Sequence, residues 1–232
     1  MPLQMPFTSS RCDVFGRMKI NAIIWDLDGV LIDSEPYHMD AEIETFTQFG
    51  IRVPRSILKE YFGIKLENYF TDIVKRFKKK IPVEEMIRTH NETLKRYYSE
   101  VFQLTSHALD VLGQLQLQYP MGMATSREKE LANIVLKRFS LFPYFTSIIY
   151  GDDVENGKPH PEPFIKVSSQ LKVNPKSAVV IEDAVSGFIA AKKAGMFVIA
   201  RKAEHNRDMD FSQADYVVEE LREIPLMLKK IG

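Results

Sequence analysis

The sequence predicts an α/β fold: a parallel sheet core with helices on both faces and a small inserted α-helical domain. Short apolar runs of strand length alternate along the chain with segments of helical period, which is the pattern of right-handed βαβ units. The first run ends at Trp25 and the second begins at Met121, an interval of about 95 residues where a crossover needs only one helix. The additional residues predict a helical domain inserted between the first two strands.

The core elements follow from apolar periodicity. The predicted strands are Ile20–Trp25, Met121–Ala124, Ser147–Tyr150, Ala178–Ile181, Phe197–Ala200 and Tyr216–Val218. Helical spacing between them is carried by Leu109, Leu112 and Leu115, by the stretch Lys129–Arg138, and by Phe164, Val167 and Leu171. Because the strands are apolar throughout, we expect the sheet to be covered on both faces.

The insertion contains three apolar series at helical spacing. They are Met39, Ile43 and Phe46; then Leu66, Phe70, Ile73 and Phe77; then Ile87, Leu94 and Val101. We assign residues 36–103 to a helical cap domain above the strand ends, and residues 19–35 and 104–232 to the core. Residues 1–18 have neither an apolar signal core nor a helical period, so we interpret them as a disordered leader or an alternative start.

Composition excludes several classes of protein. The 232 residues are 45% hydrophobic and 27% charged, as in ordinary globular proteins, so disorder of the whole chain is excluded. Thirty-one basic residues balance 31 acidic ones, which argues against nucleic acid or a membrane surface as the partner and favours a small molecule. The single cysteine fits a reducing cytoplasm. We expect a monomer or a weak homo-oligomer.

The first polar motif comes directly after the first strand. Asp26 and Asp28 stand at the carboxyl end of that strand, where open α/β sheets bind ligands, and Gly29 allows a tight turn. Two acids one residue apart on an extended chain point to opposite sides. Asp26 and Asp28 can therefore take different roles at one site.

Two further motifs follow later strands. Thr125 and Ser126 come after the second strand and before a helix, where hydroxyls and amides can hold a phosphate, although the pair would also suit a plain helix N-cap. Lys158 stands between a glycine and a proline-rich segment that opens a helix. Taken alone, a surface lysine is usually just solvated.

The fourth motif is the pair Glu182 and Asp183, at the end of an all-apolar strand. Adjacent acids repel each other, so a cation is the natural neutraliser, and oxygen ligands suit Mg²⁺. All four motifs fall at the same edge of the predicted sheet. Their chemistry suits attack by Asp26 on a phosphate monoester, with Lys158 and a metal offsetting the negative charge, while like charges keep a proton on Asp28 near neutral pH.

Together these motifs resemble the haloacid dehalogenase superfamily of phosphotransferases. The segment from Asp26 to Pro36 and the segment Gly157–Phe164 resemble the branch that contains β-phosphoglucomutase and the small sugar-phosphate phosphatases. The resemblance runs from Lys19 to Ile231 and implies a Rossmann-like core with a cap that closes over the site.

The resemblance also implies a role for each motif. Asp26 would be the nucleophile that becomes an aspartyl phosphate, and Asp28 the general acid and base. Thr125 and the Ser126 amide would hold phosphate oxygens, Gly29 is also assigned to the phosphate site, and Lys158 would bind the phosphate and neutralise charge. Mg²⁺ would be held by Asp26, the backbone carbonyl of Asp28, Glu182 and Asp183. True dehalogenases need neither the second aspartate nor the metal, so dehalogenation is disfavoured.

Three functions stay open. A Mg²⁺-dependent phosphatase of a small phosphorylated metabolite, a sugar phosphate by preference, is favoured over a hexose-phosphate mutase. The mutases carry a cap arginine where this chain has Leu66, although Lys65 could substitute as a point charge. His38 stands where mutases have a histidine that keeps nucleophile and acid in register. The third hypothesis is a non-catalytic phosphometabolite-binding protein, which would not require a nucleophile.

Overall fold

A sheet of buried strands forms the centre of the molecule. The computed structural model describes residues 18–58, 61 and 66–232. Its strands are β1 (Ala22–Trp25), β2 (Ile32–Asp33), β3 (Gln103–Leu104), β4 (Met121–Ala124), β5 (Ser147–Ile149), β6 (Ala178–Glu182), β7 (Phe197–Arg201) and β8 (Tyr216–Val218). Among the described residues, six strands form one parallel sheet in the order β5-β4-β1-β6-β7-β8.

Helices pack on both faces of this sheet and in a separate group beside it. The described helices are α1 (Glu35–Gln48), α2 (Arg55–Leu58), α3 (Leu66–Arg76), α4 (Val83–Arg96), α5 (Ala108–Leu115), α6 (Lys129–Arg138), α7 (Glu162–Gln170), α8 (Val185–Lys193) and α9 (Ile224–Ile231). The last five cover the sheet, and the first four form the separate group. Alternate residues of β1 pack on opposite faces, as the pleat requires. Ile23 joins the core formed with α5, α6 and α9, and Ile24 joins the core formed with α7 and α8.

The predicted fold class and strand positions are confirmed. The strand β4 and the helix α6 have the predicted bounds, whereas β1 begins at Ala22 instead of Ile20, β5 ends at Ile149 instead of Tyr150, and β6 and β7 each extend by one residue. These shifts lie at strand ends, where pairing with a neighbour decides the boundary. The pairing places Trp25 beside Met123 on one side and Ile181 on the other.

The long interval between β1 and β4 holds the helices α1 to α4, which we call the helical insertion. Two short antiparallel strands, with Ile32 opposite Leu104, close its base. The insertion has its own core, centred on Phe46, Phe70 and Met86. Val101, predicted as part of the third helix, lies in the π-helical turn Tyr97–Val101 that follows α4.

Some sequence predictions cannot be followed into the structure. The proposed leader, except Met18, and the alternative cation Lys65 lie outside the described residues. Among the helices that the structure describes, none has both the length and the apolar character needed to cross a membrane.

Candidate active site

The site lies at the carboxyl ends of the three central strands. Asp26 follows β1, Thr125 follows β4, and β6 ends at Glu182 with Asp183 immediately after it. Because β1 pairs with both β4 and β6, these loops meet at one edge of the sheet. The amide of Asp26 donates to the carbonyl of Ile181 at 2.9 Å, which extends the ladder to the site.

Lys158 forms hydrogen bonds at the ends of all three strands. Its ammonium donates to Oδ1 of Asp26 at 2.5 Å, to Oε1 of Glu182 at 2.8 Å and to the carbonyl of Ala124 at 2.9 Å. The side chain is only 4% exposed and lies over the ring of Phe164. The sequence interval of 132 residues between Lys158 and Asp26 is thus closed by one buried ion pair. We call Asp26, Lys158, Glu182 and Asp183 the nucleophile cluster.

Glu182 has partners for both of its oxygens. Oε1 accepts from Lys158, and Oε2 accepts from the backbone amides of Asp183 and Ala184, both at 2.7 Å. A Cβ atom at Gly187 would stand 1.8 Å from Oε1, so α8 can approach this carboxylate only with glycine there. In this arrangement Glu182, expected as a metal ligand, braces Lys158 and the start of the next loop.

Asp183 packs against the turn at Gly29. Gly29 has a φ of +74°, and a Cβ atom there would lie 2.0 Å from Oδ2 of Asp183. The Gly29 amide, expected near a phosphate, donates to the carbonyl of Ile32, and its own carbonyl accepts from Arg201. The structure therefore gives Gly29 a steric role. Oδ2 of Asp183 also lies 2.8 Å from Nε2 of His205.

The charges of the nucleophile cluster do not balance. Burial raises the pKa of Asp26 well above its ordinary value; Lys158 opposes this, and Glu182 and Asp183 add to it. Burial alone would lower the pKa of Lys158, but Asp26 and Glu182 outweigh it and raise that pKa. Three carboxylates against one ammonium leave a site that a further cation would stabilise.

The donor set fits Mg²⁺. In the part of the chain that the structure describes, no three histidine, cysteine, aspartate or glutamate side chains converge on one metal-sized position. Magnesium does not need such a cage, because it is usually bound by one or two carboxylates and keeps several waters. Asp26, Asp183 and the backbone carbonyl of Asp28 could supply these ligands.

Asp28 points away from the nucleophile cluster, toward the helical insertion. Its Oδ1 accepts from the hydroxyl of Ser34 at 2.7 Å and from that of Tyr98 at 2.9 Å, and its Oδ2 accepts from Nε of Arg127 at 2.9 Å. Burial alone would raise the pKa of Asp28, but the Arg127 charge, together with His38 and Ser34, holds it well below its ordinary range. The expectation that Asp28 keeps a proton near neutral pH is wrong for this arrangement.

Arg127 is the residue that sequence reasoning missed. Besides Asp28, it reaches His38 of α1, with Nη2 lying 2.9 Å from Nε2 of the ring, and it stands over the ring of Tyr98. Its position directly after Thr125 and Ser126 was the available signal. We call Asp28, His38, Tyr98 and Arg127 the insertion-facing cluster.

Thr125 and Ser126 do not cap the helix that follows them, which begins at Lys129 with Glu128 before it. Thr125 is 2% exposed, and its Oγ1 accepts from the amide of Arg127 at 3.0 Å, so the hydroxyl proton can be directed to another acceptor. Ser126 is exposed and lines a cleft. The phosphate contact expected of both residues stays a prediction.

This cleft lies between the helical insertion and the core, with a volume of about 430 Å³. His38 and Arg127, which hold Asp28, form part of its wall, so the cleft adjoins the insertion-facing cluster. The described lining is His38, Glu42, Leu66, His90, Asn91, Leu94, Ser126, Arg127, Glu128 and Leu131. A small molecule could reach Asp28 from this side.

Comparison with known proteins identifies a family and several proteins that are similar to this chain. A family model described as "Haloacid dehalogenase-like hydrolase" matches residues 23–201. The chain is 30% identical over 202 residues to validoxylamine A 7'-phosphate phosphatase of Streptomyces hygroscopicus subsp. limoneus, an alignment covering 87% of this chain and 94% of that protein.

A second curated protein and a solved structure are also similar to this chain. A phosphorylated carbohydrates phosphatase of Thermotoga maritima is 30% identical over 178 residues, with 76% of this chain and 82% of that protein covered. A solved β-phosphoglucomutase structure from Clostridium difficile is similar with a TM-score of 0.70 at 26% identity, covering 91% of this chain and 97% of that one.

Proposed function

The chain belongs to the haloacid dehalogenase-like hydrolases, in the branch of sugar-phosphate phosphatases, and we propose that it is a Mg²⁺-dependent phosphomonoester hydrolase. Its substrate would be a small phosphorylated metabolite, a sugar phosphate by preference. The reaction would pass through an aspartyl phosphate on Asp26. The helical insertion would act as the cap that shields this reaction from bulk water.

The observation that carries this proposal is the buried contact of Lys158 with Asp26. A carboxylate attacks a phosphate dianion only if nearby positive charge offsets their repulsion. Lys158 supplies that charge at 2.5 Å from the attacking group, in a site with 4% exposure of the lysine. A protein that only binds a phosphometabolite would have no need to hold an ammonium against an unreacted carboxylate.

In the first half-reaction, an oxygen of Asp26 forms a bond to phosphorus while the bond from phosphorus to the leaving oxygen breaks. The leaving oxygen takes a proton from Asp28. In the second half-reaction, Asp28 removes a proton from water, the water oxygen attacks phosphorus, and the bond between Asp26 and the phosphoryl group breaks. Thr125 and the amide of Ser126 would hold the phosphoryl oxygens during both steps.

A bound Mg²⁺ would supply the missing positive charge beside the phosphoryl group. Asp26, Asp183 and the backbone carbonyl of Asp28 would hold it, while Glu182 keeps Lys158 in place. This assignment moves Glu182 from the expected ligand set to a positioning role.

Asp28 as seen here is suited to the second half-reaction, because an ionised carboxylate can accept a proton from water. In the first half-reaction it must carry a proton, which the Arg127 guanidinium opposes. We therefore propose that Arg127 leaves Asp28 in that step.

The test of the proposed function is phosphate release from p-nitrophenyl phosphate and a panel of phosphorylated metabolites, with Mg²⁺ and with EDTA. We expect turnover with Mg²⁺, loss of it with EDTA, and loss to background in Asp26→Asn. Asp110→Asn, which changes an exposed acid on α5, is the matched control and should keep activity. Full activity of Asp26→Asn would exclude the mechanism, and no turnover of any substrate by the wild type would favour the non-catalytic hypothesis.

The second candidate function is a hexose-phosphate mutase. It is favoured by His38, which lies 3.5 Å from Oδ1 of Asp28, and by the similarity to the C. difficile structure. Incubation with β-glucose 1-phosphate and a trace of the 1,6-bisphosphate separates the two functions. Sustained formation of glucose 6-phosphate would favour the mutase, and release of inorganic phosphate would favour the hydrolase.

A further inference from the structure

His90 of α4 is a buried histidine that the proposed chemistry does not use. It is 5% exposed, and its ring packs edge-on against Phe70 at a centroid distance of 5.3 Å. It also contributes to the lining of the cleft between the helical insertion and the core. A side chain that is nearly buried and yet borders the cleft can present only a small part of its surface to a ligand.

The hydrogen bonds of His90 fix which nitrogen carries the proton. Nδ1 lies 3.2 Å from Oγ1 of Thr45, and the hydroxyl of Thr45 donates to the carbonyl of Ala41 at 2.8 Å. Because the single hydroxyl proton of Thr45 is used there, Thr45 must accept from Nδ1 of His90. Nε2, on the other side of the ring, is then an unprotonated acceptor.

The charge state agrees with this tautomer. Burial, with smaller contributions from the nearby His38 and Arg127, lowers the pKa of His90 to about 4. Near neutral pH the ring is therefore uncharged. A neutral nitrogen lone pair accepts a hydrogen bond from a hydroxyl, but it repels the oxygens of a phosphate or carboxylate, which are acceptors themselves.

The rest of the described lining offers both kinds of hydrogen-bond partner. The carboxylates of Glu42 and Glu128 accept, whereas Asn91, Ser126 and Arg127 can donate. Leu66, Leu94 and Leu131 add apolar surface. A hydroxyl-bearing carbon skeleton can use donors, acceptors and apolar surface alike, whereas a second phosphate could use only the donors and would be repelled by the two carboxylates and by Nε2 of His90.

We propose that His90 is a specificity-determining residue that accepts a hydrogen bond from a hydroxyl group of the leaving alcohol. The cleft would thereby select uncharged polyol or sugar monophosphates over bisphosphates and over phosphorylated carboxylic acids. This inference rests on the proposed function, since it concerns the leaving group of the same reaction.

The test compares wild type and His90→Phe on the sugar monophosphate that the wild type hydrolyses best in the panel, with p-nitrophenyl phosphate as reference. We expect the ratio of the two kcat/KM values to fall about tenfold in the variant, mainly through KM, as for the loss of one hydrogen bond. Analogues that each lack one hydroxyl provide the second measurement. One of them should lose about tenfold in the wild type and little more in His90→Phe.

Two further variants separate recognition from folding. His90→Gln keeps an amide acceptor and should retain more of the ratio than His90→Phe. Thr45→Val leaves the imidazole in place but removes the partner that fixes its tautomer, so an intermediate ratio is expected. Thermal unfolding of each variant shows whether the helical insertion is intact, and the analogue series on the wild type needs no variant at all.

The outcomes distinguish this inference from the proposed function. If the wild type releases no phosphate from any substrate, the proposed function fails. If phosphate is released but the ratio is the same in His90→Phe, or no single hydroxyl matters in the wild type, only the inference on His90 fails. A wild type that prefers fructose 1,6-bisphosphate or phosphoglycolate to every sugar monophosphate would also overturn it.

Discussion

The nucleophile cluster and the insertion-facing cluster lie on opposite sides of one short loop but are built differently. Asp26, Lys158 and Glu182 are held by the ends of adjacent strands and are at most 9% exposed at their side chains. Asp28 and Arg127 are 13% and 29% exposed, and Arg127 reaches across to a helix of the insertion. The first cluster belongs to the core alone, whereas the second forms only where insertion and core meet.

The difference in burial and position suits the two clusters to different steps of the proposed reaction. Buried charges on rigid strand ends provide fixed electrostatics for phosphoryl transfer, which needs pre-organised groups. The insertion has a core of its own, so contacts between it and the rest of the molecule can change without disturbing either core, and they suit proton transfer and selection of the leaving group. Changes in the first cluster should therefore affect stability and activity together, and changes in the second should affect activity far more than stability.

The largest effect is expected for a change in the nucleophile cluster. Lys158→Ala removes the single ammonium among three carboxylates, and we expect the free energy of unfolding to fall by about 3–5 kcal/mol and kcat to fall about 10³-fold. Added Mg²⁺ should raise the melting temperature of the variant more than that of the wild type. Lys166→Ala, which removes a lysine that is 42% exposed and pairs with Glu162, is the control. A stability loss below about 1 kcal/mol would contradict this view of the cluster.

Asp28→Asn tests the other side of the loop. Asparagine can still accept from Ser34 and Tyr98 but cannot transfer the proton, so kcat should fall about 10²–10⁴-fold. Its amide nitrogen would face Nε of Arg127, another donor, so the free energy of unfolding should also fall, but by less than in Lys158→Ala. Asp33→Asn, on the neighbouring strand β2, is the matched control and should retain activity. A large loss of stability without a change in kcat would contradict the view that the insertion-facing cluster affects activity more than stability.

The buried imidazole of His90 gives a pH-dependent effect on stability. Its pKa is about 4 in the folded protein and near 6.5 when exposed, so the unfolded chain binds more protons between these values. The stability is fully present above pH 6.5 and decreases as the pH falls toward 4. We expect wild type to lose about 2–3 kcal/mol more than His90→Phe between pH 7 and pH 4.5. If wild type and His90→Phe lose the same free energy of unfolding between the two pH values, His90 is not held neutral in the folded protein.

The smallest expected effect concerns Arg127. Arg127→Ala should lower kcat/KM about tenfold, because His38 and Asp28 lose their common partner. Since the guanidinium lowers the pKa of Asp28, its removal should also move the acidic limb of the pH profile to higher pH. Arg127→Lys keeps the charge and should show a smaller shift. An unchanged limb in both variants would mean that Arg127 does not set the ionisation of Asp28.

Much of the nucleophile cluster could be predicted because it depends on the strands. Apolar runs located β1, β4 and β6, and parallel pairing brings their carboxyl ends to one edge, so Asp26, Thr125 and Asp183 follow from counting along the chain. The partners of Glu182 could not be predicted in this way. Whether a carboxylate faces a metal or a lysine depends on loop conformation and on the room left by Gly187.

Hydrophobic period and strand order, both readable from the chain, predict the α/β fold, the inserted helices and the edge of the sheet that carries the reactive groups. The ionisation of Asp28 and the tautomer of His90, in contrast, follow from contacts that form only on folding. Arg127 meets Asp28 across 99 residues, and Thr45 meets His90 across 45. Such contacts depend on how helices pack and how side chains turn, and no local pattern in a single sequence encodes that geometry.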